Sequence, residues 1–494
     1  MSRIKTLVCL AVVATLQTVP GISGAQAPAE PSRGGALLDA VRKAVVSNPD
    51  VQAAWHGYHA ATAAQDAARG GYLPEVDVNA AAGRRWRKDP HEIQNGKKSN
   101  NWNYSDAALE LNQLIYDGFA TSSEVSRMGY QRLVRYYELL DASENAGLEV
   151  TRAYADVERQ RELVEHAKAN YAAHKQLYDQ INNRTTAGVS RRVDLDQAAG
   201  RLALAESNLL TEVSNLHDVS TRYQRLVGEL PADRLPPLAD NFANVSLPEN
   251  VVAALRTAYV NNPSFNAAIE NVRANASKRD VARSAYHPKL SLHASTGIDR
   301  NIDNDERNLK GNRRESLVEV LFSFNVFRGG ADRARVRQAG EEVDQARNLR
   351  EKACRDLRQT LTIAYQDTRS LVEKLGYLDL HQSSTAKARE AYRRQFDIGQ
   401  RTLLDLLDSE NEYFNARRAY TNARFDLLVA QARTLSGTGQ LLHTLGVVRE
   451  DLPTARDAGQ DRDTVDPAEM CPADAPAPLE VNKSTLLTTE AAYR

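Results

Sequence analysis

Asp405 and Asp408 stand three residues apart, just after the turn Gly399-Gln400-Arg401-Thr402, and they are the side chains best placed to do chemistry. On a helix that spacing puts both carboxylates on one face. Like charges so placed raise each other's pKa, attract cations and oppose anions. Asp405 has a second reading, because Thr402 three residues earlier makes it the acidic member of a helix-capping box. Asp408 has no such duty. No other constellation carries a reaction. His91-Glu92 lacks the second histidine of a zinc-protease helix. The other histidines have no metal-ligand spacing, and there is no phosphate-binding glycine loop, no Gly-x-Ser-x-Gly and no Cys/His nucleophile pair. The expectation is a protein that is not an enzyme and has no cofactor or metal, with any energy input supplied by a partner.

The 494 residues carry 63 Lys+Arg and 64 Asp+Glu, a net charge of −1, which removes the electrostatic case for nucleic acid. After the first thirty residues no stretch approaches the ~18–20 apolar residues of a membrane helix. The start has Arg3 and Lys5, an apolar run from Leu7 to Leu16 and then Ser23-Gly24-Ala25, which predicts a signal peptide over 1–25. Cys9 falls inside it. Cys354 and Cys471 remain, read as two unpaired thiols, with pairing in an oxidising compartment as the alternative. Residues 26–36 form an N-terminal segment. The tail 447–494, with Pro453, Pro467, Pro472, Pro476 and Pro478, reads as disordered.

The elements that must position the two aspartates come from a tandem duplication. Asn48-Pro49, Tyr72-Leu-Pro74 and Gly83 recur 214 positions on, as Asn262-Pro263, Tyr286-His-Pro288 and Gly297. Gly118, Ala153-Tyr154, Gly188 and Asp194 recur 211 positions on, as Gly329, Ala364-Tyr365, Gly399 and Asp405. By the same shift Asp408 answers to Gln197. The repeats span 37–230 and 251–446, joined by a Pro-rich linker over 231–250. Each reads as helix, strand, polar loop, strand, very long helix, tight turn, helix. The strands alternate apolar and polar residues, most clearly in Val318, Val320, Phe322, Phe324 and Val326 against Glu319, Ser323 and Asn325. Each is expected to have ~9–11 residues, the length of a tilted membrane strand, with loops over Arg84–Asp106 and Asp299–Glu315. Arg84, Arg85, Arg87 and Lys88 beside Trp86 read as a lipid-headgroup contact or as a solvated loop.

Val150, Val157, Val164, Tyr171 and Tyr178 recur every seven residues, and Leu357, Leu361, Ala364, Thr368, Leu371, Leu375 and Leu378 step by four and three. That spacing specifies supercoiled helices. The long helix from about Ala120 to Asn183 is roughly 95 Å by helical rise. Arg191–Leu226 and Asn250–Ala285 are about 54 Å each by the same rise, so two short helices end to end nearly match one long one. Four membrane-length strands cannot close a barrel, the only sheet without open edges in lipid. Three copies supply twelve.

The duplication, the Asn-Pro and Tyr-x-Pro pairs, the Asp/Arg-Gly after each second strand, and Gly399-Gln-Arg401-Thr-Leu-Leu-Asp405-Leu-Leu-Asp408 resemble the TolC family of outer-membrane export channels. Ala68-Arg-Gly-Gly-Tyr-Leu-Pro74, Tyr116-Asp-Gly-Phe-Ala-Thr121 and Arg135-Tyr-Tyr-Glu-Leu-Leu-Asp-Ala-Ser143 resemble its agglutination-protein branch, which serves type I secretion of large adhesins. The resemblance implies a mainly α chain with a small transmembrane β part. It implies a homotrimer whose 12-stranded outer-membrane β-barrel, four strands per chain, continues as a long α-helical coiled-coil barrel in the periplasm of a Gram-negative cell. It further implies a periplasmic adaptor and an inner-membrane ABC transporter or other pump as partners, with outer-membrane lipid around the barrel. An exported protein is the expected cargo. Small-molecule or drug efflux is the alternative, and a non-channel periplasmic coiled-coil protein a further one. The resemblance also implies that Asp405 and Asp408 line the periplasmic constriction, closed by contacts among Asp194, Arg401 and Phe396. Phe396 departs from the tyrosine frequent there, which removes a hydroxyl from the lock. Arg401 has an alternative reading as an ordinary exposed turn charge. Val318, Val320, Phe322, Phe324 and Val326 are the expected lipid-facing set.

Overall fold

Two helices of about 100 Å, each 67 residues at 1.5 Å per residue, set the length of the molecule. The computed structural model describes residues 35–87, 100–238, 242, 247–302, 311–447, 451–461 and 470–477. The predicted leader over 1–25, Lys88 and His91-Glu92 lie outside the described residues. In chain order the elements are α1 (Ala36–Ser47), α2 (Pro49–Arg69), β1 (Glu75–Arg87), β2 (Asn100–Tyr116), α3 (Ala120–Thr186) and α4 (Arg192–Val227), then α5 (Val251–Asn261), α6 (Pro263–Arg283), β3 (Lys289–Ile302), β4 (Gly311–Ser323), α7 (Ala331–Asp397), α8 (Leu403–Gly437) and the short α9 (Leu441–Thr444). The second half repeats the first, element for element.

The expected single helix over Asn250–Ala285 is in fact two. Proline at the first helical position disfavours helical backbone in the residue before it. Asn262 is accordingly extended, and its side chain accepts from Phe265 N at 3.0 Å to start α6. Asn48 does the same for α2, accepting from Asp50 N at 2.8 Å.

The strands form one antiparallel sheet in the order β1-β2-β3-β4. Register carries the alternation from strand to strand: Val78 pairs with Leu109, Leu111 with Ala294, and Ala294 with Val318. One face is therefore mainly apolar, interrupted by the hydrogen-bonded hydroxyls of Thr296 and Ser316, with Val78, Val318 and Phe322 about 70% exposed in the protomer. The other face is polar, with Glu75, Asn112, His293 and Glu319 in one cross-strand row. Arg84 and Trp86 lie on the outward face at its far end, the guanidinium 5.9 Å from the indole. The strands have 13 to 17 residues, longer than expected, because they run on into the polar segments read as loops. At the other end the expectation was too generous. β4 stops at Ser323, opposite Lys289, and Pro288 before it has no amide to donate. Phe324 and Val326 belong to the turn into α7, not to the strand.

Around the molecule the helices form two rows: α2–α3–α6–α7 next to the sheet and α4–α3–α8–α7 beyond it. The main apolar core lies where they meet, around Leu37, Val150, Tyr154, Leu226, Phe425 and Leu441. The tail is not uniformly disordered as expected: residues 451–461 and 470–477 pack on the helices, and Cys354 and Cys471 form a disulfide. A separation of 117 residues hid that pair from the sequence, and the tail's small apolar residues find their partners only on the folded surface.

Each strand-to-helix turn needs left-handed backbone at two positions, Gly118-Phe119 in the first repeat and Gly329-Gly330 in the second. At Gly118 a Cβ would also meet His287 Cβ at 2.4 Å, whereas nothing lies within 4 Å at Gly329. Gly329→Ala should therefore cost about 1 kcal/mol, the left-handed penalty alone. Gly118→Ala should cost roughly 3 kcal/mol, because the clash adds to it. Thermal dissociation of the assembled protein compares the two. Equal effects would remove the role assigned to His287.

Candidate functional site at the helical tip

The hairpin ends lie a full long-helix length from the sheet. Gly188 and Gly399 make the two turns with φ of +77° and +74°. Beneath them Leu177, Ile181, Ala198, Phe396, Leu403, Leu406 and Leu407 form a local core. Apolar residues at three- and four-residue spacing on both hairpins meet there, so the tip holds its own shape.

Thr402 caps α8. Its hydroxyl accepts from Asp405 N at 3.2 Å, and its backbone amide donates to Asp405 Oδ2 at 3.3 Å, completing the capping box; the hydroxyl also donates to Oδ2 at 2.8 Å. For Asp405 this reverses the expected rise in pKa. The Thr402 side chain and backbone amide, with Arg401 beyond them, hold the Asp405 carboxyl below the usual carboxylate range. The stabilisation is present at neutral pH and is lost only as pH falls through that lowered value. Asp408 has a partner the sequence did not reveal, Arg201 of α4 at 2.5 Å. The two aspartates share a helix face, but each is tied to a cation of its own chain.

Arg401 donates to Gln395 Oε1 at 3.0 Å, lies 3.8 Å from Asp405 and sits 4.3 Å over the Tyr392 ring. Asp194 is 4.0 Å from Arg191. Among the described residues, Arg401 and Asp194 form no ion pair within the protomer. Phe396 is 7% exposed, its ring 5.4 Å from the Arg184 guanidinium. It belongs to the apolar core of the tip.

Glu410 was missed. It is 2% exposed and accepts from Arg393 at 2.7 Å and Arg389 at 3.3 Å. Its signal was available, since Leu403, Leu407, Glu410 and Phe414 step by four, three and four, placing a carboxylate in the apolar seam. His174 of α3 is buried beside it. Burial pushes its pKa down, Glu410 pulls it up and Arg201 pushes it further down. Further up, Glu212 of α4 pairs with Arg418 of α8 at 2.6 Å and accepts from Gln160 of α3. The arrangement makes no bonds and breaks none. It is a charged end to the two helical hairpins of the protomer, held by buried ion pairs. Among the described residues no group of His, Cys, Asp and Glu is arranged to hold a metal, and no helix is long and apolar enough to cross a membrane.

The family model for outer membrane efflux proteins matches residues 40–229 and 254–439, one stretch in each repeat. The chain is 24% identical over 455 residues to the alkaline protease secretion protein AprF of Pseudomonas aeruginosa, covering 91% of this chain and 92% of that one. It is 23% identical over 419 residues to the outer membrane protein TolC of Escherichia coli, covering 82% of each. Its fold is similar to the Campylobacter jejuni CmeC outer membrane channel, with a TM-score of 0.73 at 17% identity over 89% of this chain and 90% of that one.

Buried and exposed pairs at the tip should differ in weight. Glu410→Ala leaves two arginines without their acceptor and should cost about 3 kcal/mol, whereas Asp408→Ala breaks a half-exposed pair and should cost less than about 1 kcal/mol. Hydrogen exchange of the amides over 403–410 measures both, and a larger loss for Asp408→Ala would invert the assignment. His174 adds a pH dependence. Its folded pKa lies below the unfolded value, so its contribution is complete above about pH 6.5 and declines as pH falls through that value. Protection at the tip, taken relative to the intrinsic exchange rate at each pH, should fall between pH 7.5 and pH 5 in the native protein and change less in His174→Gln.

Proposed function

The chain belongs to the outer membrane efflux protein family and is a channel of the Gram-negative outer membrane whose helices extend into the periplasm, and from that premise we propose that three copies form the exit duct of a type I protein secretion system. The observation that carries the trimer is the open sheet. β1 and β4 each pair on one side only, and an unpaired strand edge is not tolerated in lipid. Both helix rows end the same way. α7 presents Ile363, Tyr377 and Leu380 at one edge, and α4 presents Leu204, Leu210 and Val213 at the other. A single heterologous contact, β4 to β1 and α7 to α2 and α4 of the next copy, covers every free edge at once, and rotation closes it. Twelve strands then surround an aqueous bore.

At the tip, threefold symmetry gathers Asp405 and Asp408 into a ring at the constriction. Arg401 of one copy and Asp194 of the next are near the turns that adjoin across the interface, and their attraction holds the ring small. Phe396 supports the lock from inside the tip core. Arg84 and Trp86, on the outward rim, meet lipid headgroups.

The secretion reading is supported by AprF, a protease secretion protein similar along nearly all of this chain, and by the sequence resemblance to the adhesin-exporting branch. The cargo is then a large adhesin, delivered through a periplasmic adaptor by an inner-membrane ABC transporter. Small-molecule efflux is the second reading, favoured by relatives such as the probable efflux pump outer membrane protein TtgC of Pseudomonas putida. Removing the channel from its own cell separates the two. Loss of a large polypeptide from the cell surface and medium supports secretion, and sensitisation to drugs with surface proteins unchanged supports efflux.

Val318→Arg at mid-strand on the outward face should cost ~2–4 kcal/mol per chain and reduce assembled trimer. Glu319→Arg on the inward face should assemble normally and change ion preference. Native mass measurement of both variants tests the facing, and a monomeric native protein would end the trimer reading. In planar bilayers, Asp405→Asn with Asp408→Asn should weaken cation preference and block by multivalent cations. Arg401→Ser should raise single-channel conductance. Unchanged selectivity in the double variant would leave Asp405 as a helix cap alone.

A further inference from the structure

The residues after 439 lie beyond the family match, yet two stretches of them are built into the helical wall. Residues 451–461 lie against the first repeat. Leu452, Ala455 and Ala458 join the cluster of Tyr58, Leu133 and Tyr136. The Tyr136 hydroxyl donates to Pro453 O at 3.0 Å and Arg132 to Ala458 O at 2.7 Å. Asp461 reaches across to Arg273 of α6 at 2.7 Å. Residues 470–477 lie on the second repeat. Met470, Cys471, Ala473 and Ala475 complete an apolar cluster with Ala254 and Leu255 of α5 and with Leu357 of α7. The Tyr259 hydroxyl donates to Pro472 O at 2.9 Å, Asp474 pairs with Arg358 at 2.5 Å, and Cys471 is bonded to Cys354 of α7.

We propose that the two stretches 451–461 and 470–477 act as a redox-fastened strap, the first held on α3 and α6 and the second locked onto α5 and α7 of the second repeat by the Cys354–Cys471 bond. The two ends of the strap are held differently. The first end inserts a leucine into a tyrosine-rich cluster and receives two side-chain hydrogen bonds. The second end has the Tyr259 hydrogen bond, a long contact from Arg350 to Met470 Sδ at 4.0 Å, and an ion pair whose aspartate is 77% exposed and so contributes little, and apart from Met470 its side chains are small and bury little area. Ordering eight residues costs conformational entropy at each of them. Without the covalent bond the second end leaves α7. With it, the end is held at high effective concentration and its weak contacts persist.

The chemistry fixes an order of events. Cys354 is 2% exposed and Cys471 1%, so an oxidant reaches them only before the strap is seated. Each thiol gives up its proton, and the pair gives up two electrons to a disulfide-bearing oxidant by thiol–disulfide exchange through a mixed disulfide. The oxidant leaves as a dithiol, and the new bond joins the strap to α7. Oxidation thus precedes seating, and burial then protects the bond from reduction.

The test uses the full chain isolated from outer-membrane fractions. Maleimide titration under denaturing conditions should find no reactive Cys354 or Cys471 without reductant and both after reduction. Hydrogen exchange over 251–261 and 350–361 should then rise at least tenfold in Cys471→Ala, with the tip over 403–410 unchanged. Because that variant must fold without the bond, the native protein is also reduced slowly, by a small phosphine acting as the strap transiently opens, until two thiols per chain are counted, and should give the same rise. Two free thiols per chain in the isolated protein would overturn the proposal. So would exchange over 251–261 and 350–361 that stays within twofold of the oxidised protein after complete reduction.

Discussion

A strand edge in hydrocarbon has no water to satisfy its amides and carbonyls, and the rest of this structure follows from that requirement. Four strands give one greasy and one polar face, but their sheet has two open edges. Edges of this kind can be satisfied only by other copies of themselves. The duplication suits that need, because two like halves bring two strand pairs into one sheet, with Glu75 opposite Asn112 in the first as Lys289 is opposite Ser323 in the second. The Gly-rich strand-to-helix turns then pass the sheet's direction to the long helices, so the symmetry that closes the sheet also acts on the helical rows.

Away from the membrane a different problem appears. Long supercoiled helices could slide past one another if their seams held only leucine and alanine. This chain places carboxylates in those seams and meets each with arginine from a neighbouring helix: Glu410 with Arg389 and Arg393, Glu212 with Arg418, and Glu162 with Arg424. The His166 contact, with Arg424 and Thr421 in support, pulls the Glu162 pKa down to about 2, so this carboxylate is ionised throughout the physiological range. The pairs of Glu410 and Glu212, whose carboxylates are buried, add little net stability compared with apolar packing, but a register shift that left either carboxylate alone would be costly. They therefore fix which turns of α3, α4, α7 and α8 lie at the same height, and so where the tip residues stand.

The tip combines both themes. Its apolar core positions two tight turns, and its charges are shared out between the hairpins of one chain. Asp408 is tied to α4, while Asp405 is bound to its own helix start. The first of these ties joins the two hairpins of a protomer. A change in the spacing of the two hairpins must therefore break Asp408 away from Arg201.

The sequence alone determined what local periodicity encodes. Alternation assigned the two faces of the strands, heptads assigned the supercoiled helices, the repeat assigned the domain plan, and Thr402 with Asp405 announced a helix start that the structure contains. These are relations between residues a few positions apart, and neighbouring backbone geometry is enough to express them. The break at Asn262-Pro263 was equally local, and was missed because the apolar pattern continues through it. Tertiary structure decided the rest. Strand ends depended on whether a partner with a free amide lay opposite, as Pro288 shows for β4. Arg201 and Asp408 lie 207 positions apart, and Cys354 and Cys471 lie 117 apart. No spacing rule connects such residues, because their proximity is created by the packing of whole helices and by a tail that finds its place only on the finished surface.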